Sequence, residues 1–122
     1  MEPQGDKAYD LEERTYRFAL NARRFIRKIP RSICNIEDGK QLVRASGSVG
    51  ANFIEAMEAI SEKDRAYRLK IARKEAKESR YWLRLVDVKE HSEVEKERQD
   101  LINEATQLMN IMAAIVRKIG NS

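Results

Sequence analysis

Four segments of the chain repeat apolar residues every three or four positions, and this period constrains the fold more than any other feature. Such spacing places the apolar side chains on one face of an α-helix, and no segment alternates with the period of two that is typical of a strand. The breaks between the segments are short, so consecutive helices are expected to lie antiparallel and side by side. The sequence therefore predicts an all-α protein, an antiparallel up-down four-helix bundle.

The predicted helices cover residues 10–29, 36–60, 62–88 and 93–119. They form a single domain at residues 10–120, preceded by a flexible N-terminal tail at residues 1–9. Three pairs have the spacing of a capping box at a helix start: Asp10 with Glu13, Ser61 with Asp64, and Ser92 with Glu95. Pro30 ends the first helix, because the residue before a proline is pushed out of the α region. Asn35 is the candidate cap of the second helix, and Gly120 suits the end of the fourth.

The composition excludes several classes of protein. A chain of 122 residues that is 42% hydrophobic suits one compact domain. No apolar run approaches the roughly 20 residues that cross a bilayer, so no membrane contact is predicted. Cys34 is the only cysteine, which rules out an intrachain disulfide and favours a cytoplasmic location. Because the chain has neither a nucleophile–base constellation nor a phosphate-binding loop, it is predicted not to be an enzyme and to need no cofactor.

The second helix is unusual in having two adjoining apolar seams, one of which is rich in small residues. The first seam contains Leu42, Ser46, Val49, Phe53, Ala56 and Ile60. The second seam contains Val43, Gly47, Gly50, Ile54 and Met57. Two seams indicate burial either deep in the bundle or against a neighbouring subunit. Each helical glycine costs about 1 kcal/mol relative to alanine, so we predict close-packing or oligomer contacts at Val43, Gly47, Gly50 and Ile54.

The motif GSVG in this helix has an alternative interpretation as a phosphate-cradling loop. Such loops lie between elements, and here the apolar period continues through the glycines with no preceding strand. Close packing is therefore favoured over a ligand loop.

A polar stripe also follows the second helix, at Arg44, Ser48, Asn52 and Glu55. The third helix has a matching stripe at Arg68, Ile71, Glu75, Glu78 and Trp82. These stripes are either a solvated face or a buried network at the rim of a pocket. We predict that Arg44 pairs with Glu75 or Glu78, since guanidinium and carboxylate match as bidentate partners. The two glutamates do not predict a metal site, because the only histidine, His91, lies in the loop before the fourth helix.

Basic residues form an unmixed row along the third helix, at Lys70, Arg73, Lys77, Arg80 and Arg84. We call this row the basic ridge; it is about 20 Å long at 1.5 Å per residue. The first helix adds Arg17, Arg24 and Lys28. A row of like charges repels itself unless an anionic partner offsets it, and arginine suits phosphate. The row predicts binding to nucleic-acid backbone without sequence specificity, since no base-reading motif is present. The alternative is the ordinary solvated face of an amphipathic helix.

Two stretches, QLVRASGSVGANFIEA and KIARKEAKESRYWLRLV, together with the four-helix pattern, resemble a known family. This is the S23 family, bundle proteins related to those encoded in intervening sequences of bacterial 23S rRNA genes. The most specific positions on the second helix are Gln41, Leu42, Arg44, Ala45, Ser48, Asn52 and Glu55. Those on the third helix are Ile71, Ala72, Glu75, Glu78, Trp82 and Leu83. The chain departs from the family pattern at Ala56, where members usually have glycine.

The resemblance implies assembly into a ring-shaped homo-oligomer, typically a pentamer, with no enzymatic activity. By the same resemblance, the chain is also similar to the accessory variability proteins of diversity-generating retroelements, which bind nucleic acid and partner a reverse transcriptase. We therefore predict a non-enzymatic, oligomeric accessory protein that binds RNA or DNA. The alternative is a structural scaffold module that binds another protein without nucleic acid.

Overall fold

A computed structural model gives the fold of residues 3–90 and 92–120, with side chains from residue 10 onward. The four helices are α1 (Pro3–Ile26), α2 (Ile33–Met57), α3 (Glu62–Leu85) and α4 (Ser92–Gly120). Each helix packs against its neighbours in the chain, and α1 also contacts α4, which closes the bundle. The predicted all-α, up-down four-helix bundle is confirmed. Within the described residues, no helix is both long enough and apolar enough to span a membrane.

The core forms where the apolar stripes of the four helices meet. Its largest fully buried side chains are Phe18, Phe25, Leu42, Val49, Phe53, Leu69, Leu83, Val86, Leu108 and Met112. Small buried residues alternate with these, such as Ala22 on α1 and Ala72 and Ala76 on α3. Each large side chain removed from water contributes about 1.5–3 kcal/mol, so the core supplies most of the favourable free energy of folding.

The helix boundaries differ from the predicted ones at several ends. α1 begins at Pro3 instead of Asp10, so residues 3–9 of the predicted tail are helical and Asp10 is not a cap. Proline is well suited to the first turn of a helix, because its fixed φ is helical and its missing N–H is not needed there. α2 ends at Met57, and Ile60, placed in its apolar seam, is fully exposed between α2 and α3. The predicted cap at Ser61 is confirmed, because its side chain accepts a hydrogen bond from the Asp64 backbone N–H.

The sequence suggested Asn35 as the cap of α2, and this prediction is wrong. Ser32 caps this helix by accepting a hydrogen bond from the Asn35 backbone N–H at 3.0 Å. The buried Asn35 side chain instead joins two distant segments. Its Nδ2 donates to the backbone oxygens of Pro30 and Asp87, both at 2.8 Å, and its Oδ1 accepts from the Asp87 N–H at 2.9 Å. One amide thus connects the α1–α2 loop to the segment after α3.

Arg98 of α4 forms hydrogen bonds with the C-terminal end of α3. Its guanidinium donates to the backbone oxygens of Leu83 and Val86, which have no helical partner in the last turn. The Glu95 carboxylate accepts from Arg98 and from Gln99, instead of forming the predicted box with Ser92. The hydrogen bond from Arg98, reinforced by that from Gln99, lowers the pKa of Glu95.

Candidate nucleic-acid interface

The basic ridge lies on the side of α3 that faces away from the core. The apolar and small residues of α3 turn inward to α2 and α4, which leaves the intervening cations outside. Lys70, Arg73, Lys77 and Arg84 are exposed. Among the described residues, none of these four has a carboxylate within ion-pair distance. Four positive charges therefore face solvent without an acidic partner.

Arg80 behaves differently from the rest of the ridge. It is half-buried, and its Nη1 donates a hydrogen bond to Thr106 Oγ1 of α4 at 3.2 Å. Its guanidinium is directed toward the α3–α4 seam. Of the five ridge residues, Arg80 is therefore the one that is not fully exposed, because its guanidinium has a polar partner on the neighbouring helix.

Two acids border the ridge on α3. Glu78 lies 4.0 Å from Lys74, an exposed i,i+4 ion pair. Glu75 is half-buried, and its pKa is raised mainly by this burial and further by the Glu78 carboxylate, while Lys74 opposes the shift.

Two of the three cations that the sequence predicted in the first helix have acidic partners, and Lys28 lies just after the end of α1. Arg17 pairs with Glu13 at 2.9 Å, and Lys28 pairs with Glu97 of α4 at 2.5 Å. Only Arg24, of the three residues predicted to bind nucleic acid, is exposed without an ion pair in the described part of the chain. All three border a groove of 620 Å³ between α1 and α4.

Arg14 of α1 forms a bidentate pair with Glu104 of α4, a contact that the residue spacing had not indicated. Its Nε and Nη2 donate to the two carboxylate oxygens of Glu104 at 2.7 and 2.9 Å, and Nη2 also donates to Gln107. The bond to Glu104 raises the pKa of Arg14. The α1–α4 face is thus a seam of mixed charge, in contrast to the ridge on α3.

The polar stripe of α2 is mainly tied to its own backbone. Ser48 Oγ donates to the Arg44 oxygen and Asn52 Nδ2 donates to the Ser48 oxygen, both at 2.9 Å. Arg68 of α3 donates to Asn52 Oδ1 at 3.3 Å, which is the one side-chain link between the two stripes among the described residues.

The predicted pairing of Arg44 with Glu75 or Glu78 is absent from the described residues. Arg44 is exposed, and no carboxylate lies within ion-pair distance of it; Glu55 is also exposed. The stripe combines a solvated face with one short interhelical contact.

The small-residue seam of α2 packs against α1 of the same chain. A Cβ at Gly50 would lie 2.9 Å from Thr15 Oγ1, so only glycine permits this approach. A Cβ at Gly47 would lie 3.4 Å from Arg23 Nη2, the end of a flexible side chain. Arg23 in turn donates to the backbone oxygens of Ala19 and half-buried Val43.

Beside this contact, α1 and α2 leave an open groove of 550 Å³ that is lined mainly by apolar atoms. Ile54 is 43% exposed at one side of the groove and Tyr16 of α1 is 60% exposed at the other. The residues predicted for close packing therefore differ in whether they are covered within the bundle. Gly50 serves contact within the bundle, and Ile54 remains accessible.

The described residues contain no group of three His, Cys, Asp or Glu side chains that could hold a metal ion. His91 lies outside the described residues. Cys34 is an exposed free thiol near the start of α2.

Comparison with known proteins identifies the family. Residues 7–114 match the family described as 23S rRNA-intervening sequence protein. The chain belongs to this family. The 23S rRNA-intervening sequence fold is also present in a crystal structure of a protein of unknown function from the S23 ribosomal protein family of Bacteroides thetaiotaomicron VPI-5482. That protein is 27% identical, with a TM-score of 0.71, and the match covers 86% of this chain and 96% of the other. No curated protein sequence matches this chain.

Two tyrosines beside the ridge had not been singled out from the sequence. Tyr67 is 62% exposed and Tyr81 is 54% exposed. The ring of Tyr81 makes an edge contact with Trp82, with centroids 5.1 Å apart. Both tyrosines continue the three-and-four spacing of the lysines on α3, and that spacing was the available signal.

Proposed function

We propose that this chain is a non-enzymatic accessory protein that binds the phosphate backbone of RNA or DNA through α3. The observation that carries the proposal is the group of four exposed, unpaired cations along one helix: Lys70, Arg73, Lys77 and Arg84. Positive charges without acidic partners attract polyanions, and they gain free energy by releasing counterions from phosphate. The family description, 23S rRNA-intervening sequence protein, is consistent with a role close to RNA.

The proposed contact has no sequence specificity. Lysine and arginine side chains on the outside of the bundle can contact phosphates, and phosphate contacts carry no sequence information. Arg24 of α1 would add a weaker site, since Arg17 and Lys28 already have acidic partners. We expect the protein to act in the cytoplasm, alongside a reverse transcriptase or another protein.

We further propose that the protein is a homo-oligomer, with a pentamer as the favoured state. The apolar groove between α1 and α2, with Ile54 and Tyr16 exposed beside it, provides a surface that a second copy could cover. Each copy would contribute one ridge, so individually modest phosphate contacts would combine into high avidity.

The second candidate function is a scaffold that binds another protein through this same groove. Its support is the exposure of Ile54 and Tyr16. The two functions differ in salt dependence, because phosphate contacts predict a steep linear fall of log K with log salt concentration, whereas an apolar contact does not.

The decisive experiment reverses three exposed ridge charges, Lys70→Glu, Arg73→Glu and Lys77→Glu. Arg80 is left unchanged because it contacts Thr106. We expect the triple variant to lose binding to labelled RNA and DNA in fluorescence anisotropy, with helicity unchanged. Milder single changes to alanine should each lower the salt slope by about 0.7–0.9 for every phosphate that is no longer neutralised.

The matched control reverses three exposed cations elsewhere, Arg27, Arg31 and Arg117, with the same change in net charge. This control should bind almost as tightly as the wild type. Wild-type affinity in the ridge variant would contradict the proposal, and an equal loss in both variants would mean that net charge alone drives the binding.

A further inference from the structure

Tyr67 and Tyr81 belong to the same outward strip of α3 as the ridge lysines. In sequence order the strip contains Tyr67, Lys70, Lys74, Lys77 and Tyr81. Their spacings of three, four, three and four keep all five within an arc of about 80° on the helix surface, at 3.6 residues per turn. The two rings are separated by fourteen residues, or about 21 Å along the axis. The strip therefore presents an aromatic ring at each end and three amines between them, of which Lys74 is the one with an acidic neighbour, Glu78 at 4.0 Å.

Both rings are available to a ligand. More than half of each side chain is exposed, and neither phenol hydroxyl has a hydrogen-bond partner among the described residues. Tyr81 is held by its edge contact with Trp82, at an interplanar angle of 75°, so its orientation is restrained before any ligand arrives. Exposed rings on a solvated face gain little for the free chain, because their apolar area stays in water.

The chemistry of the strip distinguishes single strands from duplexes. Lysines contact phosphates in either form. An aromatic ring, however, can stack only on a base whose face is free, and the bases of a duplex already stack on each other. Alternation of amines and aromatic rings along a surface is how proteins hold unpaired nucleic acid without reading its sequence.

We infer that the α3 strip binds single-stranded nucleic acid, with unpaired bases stacked on Tyr67 and Tyr81 and the intervening phosphates on Lys70, Lys74 and Lys77. The inference rests on the proposed nucleic-acid function and narrows its ligand to unpaired strands. RNA and DNA share the base faces and phosphates that the strip would contact.

The test compares three labelled probes in fluorescence anisotropy at one salt concentration. The probes are a uridine oligomer, a thymidine oligomer, and a mixed-sequence duplex with the same number of phosphates. We expect the wild type to bind both oligomers more tightly than the duplex. Tighter binding to uridine would identify RNA as the source of the strand, tighter binding to thymidine would identify DNA, and equal binding would show that the shared base faces suffice.

The variant Tyr67→Leu/Tyr81→Leu removes both rings but keeps apolar side chains and good helix formers. Its affinity for the oligomers should fall by about 5- to 150-fold for each tyrosine, since stacking contributes that much per base. Its affinity for the duplex and its salt slope should not change, because the lysines remain. The matched control, Tyr67→Phe/Tyr81→Phe, keeps both rings and removes only the hydroxyls, so it should bind like the wild type.

Trp82 gives a second measurement that does not depend on a label. It is the only tryptophan of the chain and contacts Tyr81, so its fluorescence should change when an oligomer stacks there and should remain constant with the duplex. Equal affinity of the wild type for oligomers and duplex, or wild-type oligomer binding by the double leucine variant, would overturn the inference. Either result leaves the proposed function intact. That function fails separately, if the wild type binds none of the three probes.

Discussion

At Gly50, α2 approaches α1 too closely for any other residue. A Cβ there would lie 2.9 Å from Thr15 Oγ1 and 3.2 Å from Thr15 Cβ, and Thr15 is itself buried. We expect Gly50→Ala to destabilise the protein by about 1–3 kcal/mol, because the helices must separate to accept the methyl group. Urea denaturation would measure this as a lower midpoint with an unchanged slope.

Gly47 provides the matched control, three residues earlier on the same helix. Its added Cβ would meet only the mobile end of Arg23, at 3.4 Å. Gly47→Ala should therefore be neutral or stabilising by up to about 1 kcal/mol, from the better helix propensity of alanine. Equal losses at Gly47 and Gly50 would contradict the contact with Thr15.

The two glycines also show what a period in the sequence can and cannot predict. Small residues on an apolar seam predict that another helix comes close, and Gly50 has such a neighbour. The pattern does not identify that helix, because the seam looks the same whether α1 or a second copy covers it. Thr15, the partner, is a single polar residue whose burial only the packed helices determine.

At the scale of the helices, the number, order and core faces followed from the apolar period, whereas several ends did not. Ser32 and Pro3 mark helix starts that the apolar period cannot locate, because capping depends on one backbone geometry. Asparagine is a common cap residue, so Asn35 was a reasonable prediction. Its amide instead donates to the backbone oxygens of Pro30 and Asp87, which lie close to it only in the folded chain. Such long-range polar contacts have no periodic signal.

Arg98 should be important for the junction of α3 and α4. Its side chain is only 16% exposed, and it donates to two backbone oxygens at the end of α3. Arg98→Met keeps the length of the side chain but removes the donors, and it should cost about 1.5–3 kcal/mol. Denaturation would measure the loss, and faster hydrogen exchange in the last turn of α3 would locate it.

The control for Arg98 is Lys96→Met on the same helix. Lys96 is well exposed and pairs with Asp100 only at 3.3 Å across one turn, so the change should cost less than about 1 kcal/mol. If Arg98→Met were equally mild, the carbonyl contacts would not stabilise the end of α3.

The candidate interface was also only partly predictable from helix faces. A face is set by residue spacing, and the exposure of Lys70, Arg73 and Lys77 follows from it. The direction of a long arginine is set by what lies beside it. Arg80 turns to Thr106, and Arg44 meets no acid, because the helix that carries the possible partner is positioned by the core and not by the polar stripe.

For the whole molecule, the contrast between two faces matters more than the net charge of +4. Between α1 and α4, cations and acids alternate and pair, as in Arg14 with Glu104 and Lys28 with Glu97. On α3, the exposed cations of the ridge have no such partners among the described residues. A polyanion would therefore be attracted to one side of the bundle, and the apolar groove of α1 and α2 would remain free for another contact.

That groove leads to a prediction about assembly. We expect the wild type to be a homo-oligomer in light scattering at micromolar concentration, most simply a pentamer, with Ile54 covered by a second copy. Ile54→Arg should dissociate it without unfolding, since a charge at an apolar contact must be desolvated while the same side chain in a free monomer stays in water.

Ile60→Arg is the matched control, because Ile60 is fully exposed outside the helices and lies apart from the groove. A monomer mass for the wild type would rule out this groove as the contact between copies. Equal masses of the Ile54→Arg and Ile60→Arg variants in light scattering would also rule it out. Loss of the oligomer should also weaken nucleic-acid binding in Ile54→Arg although the ridge is unchanged, because each monomer then offers a single ridge instead of several joined ones.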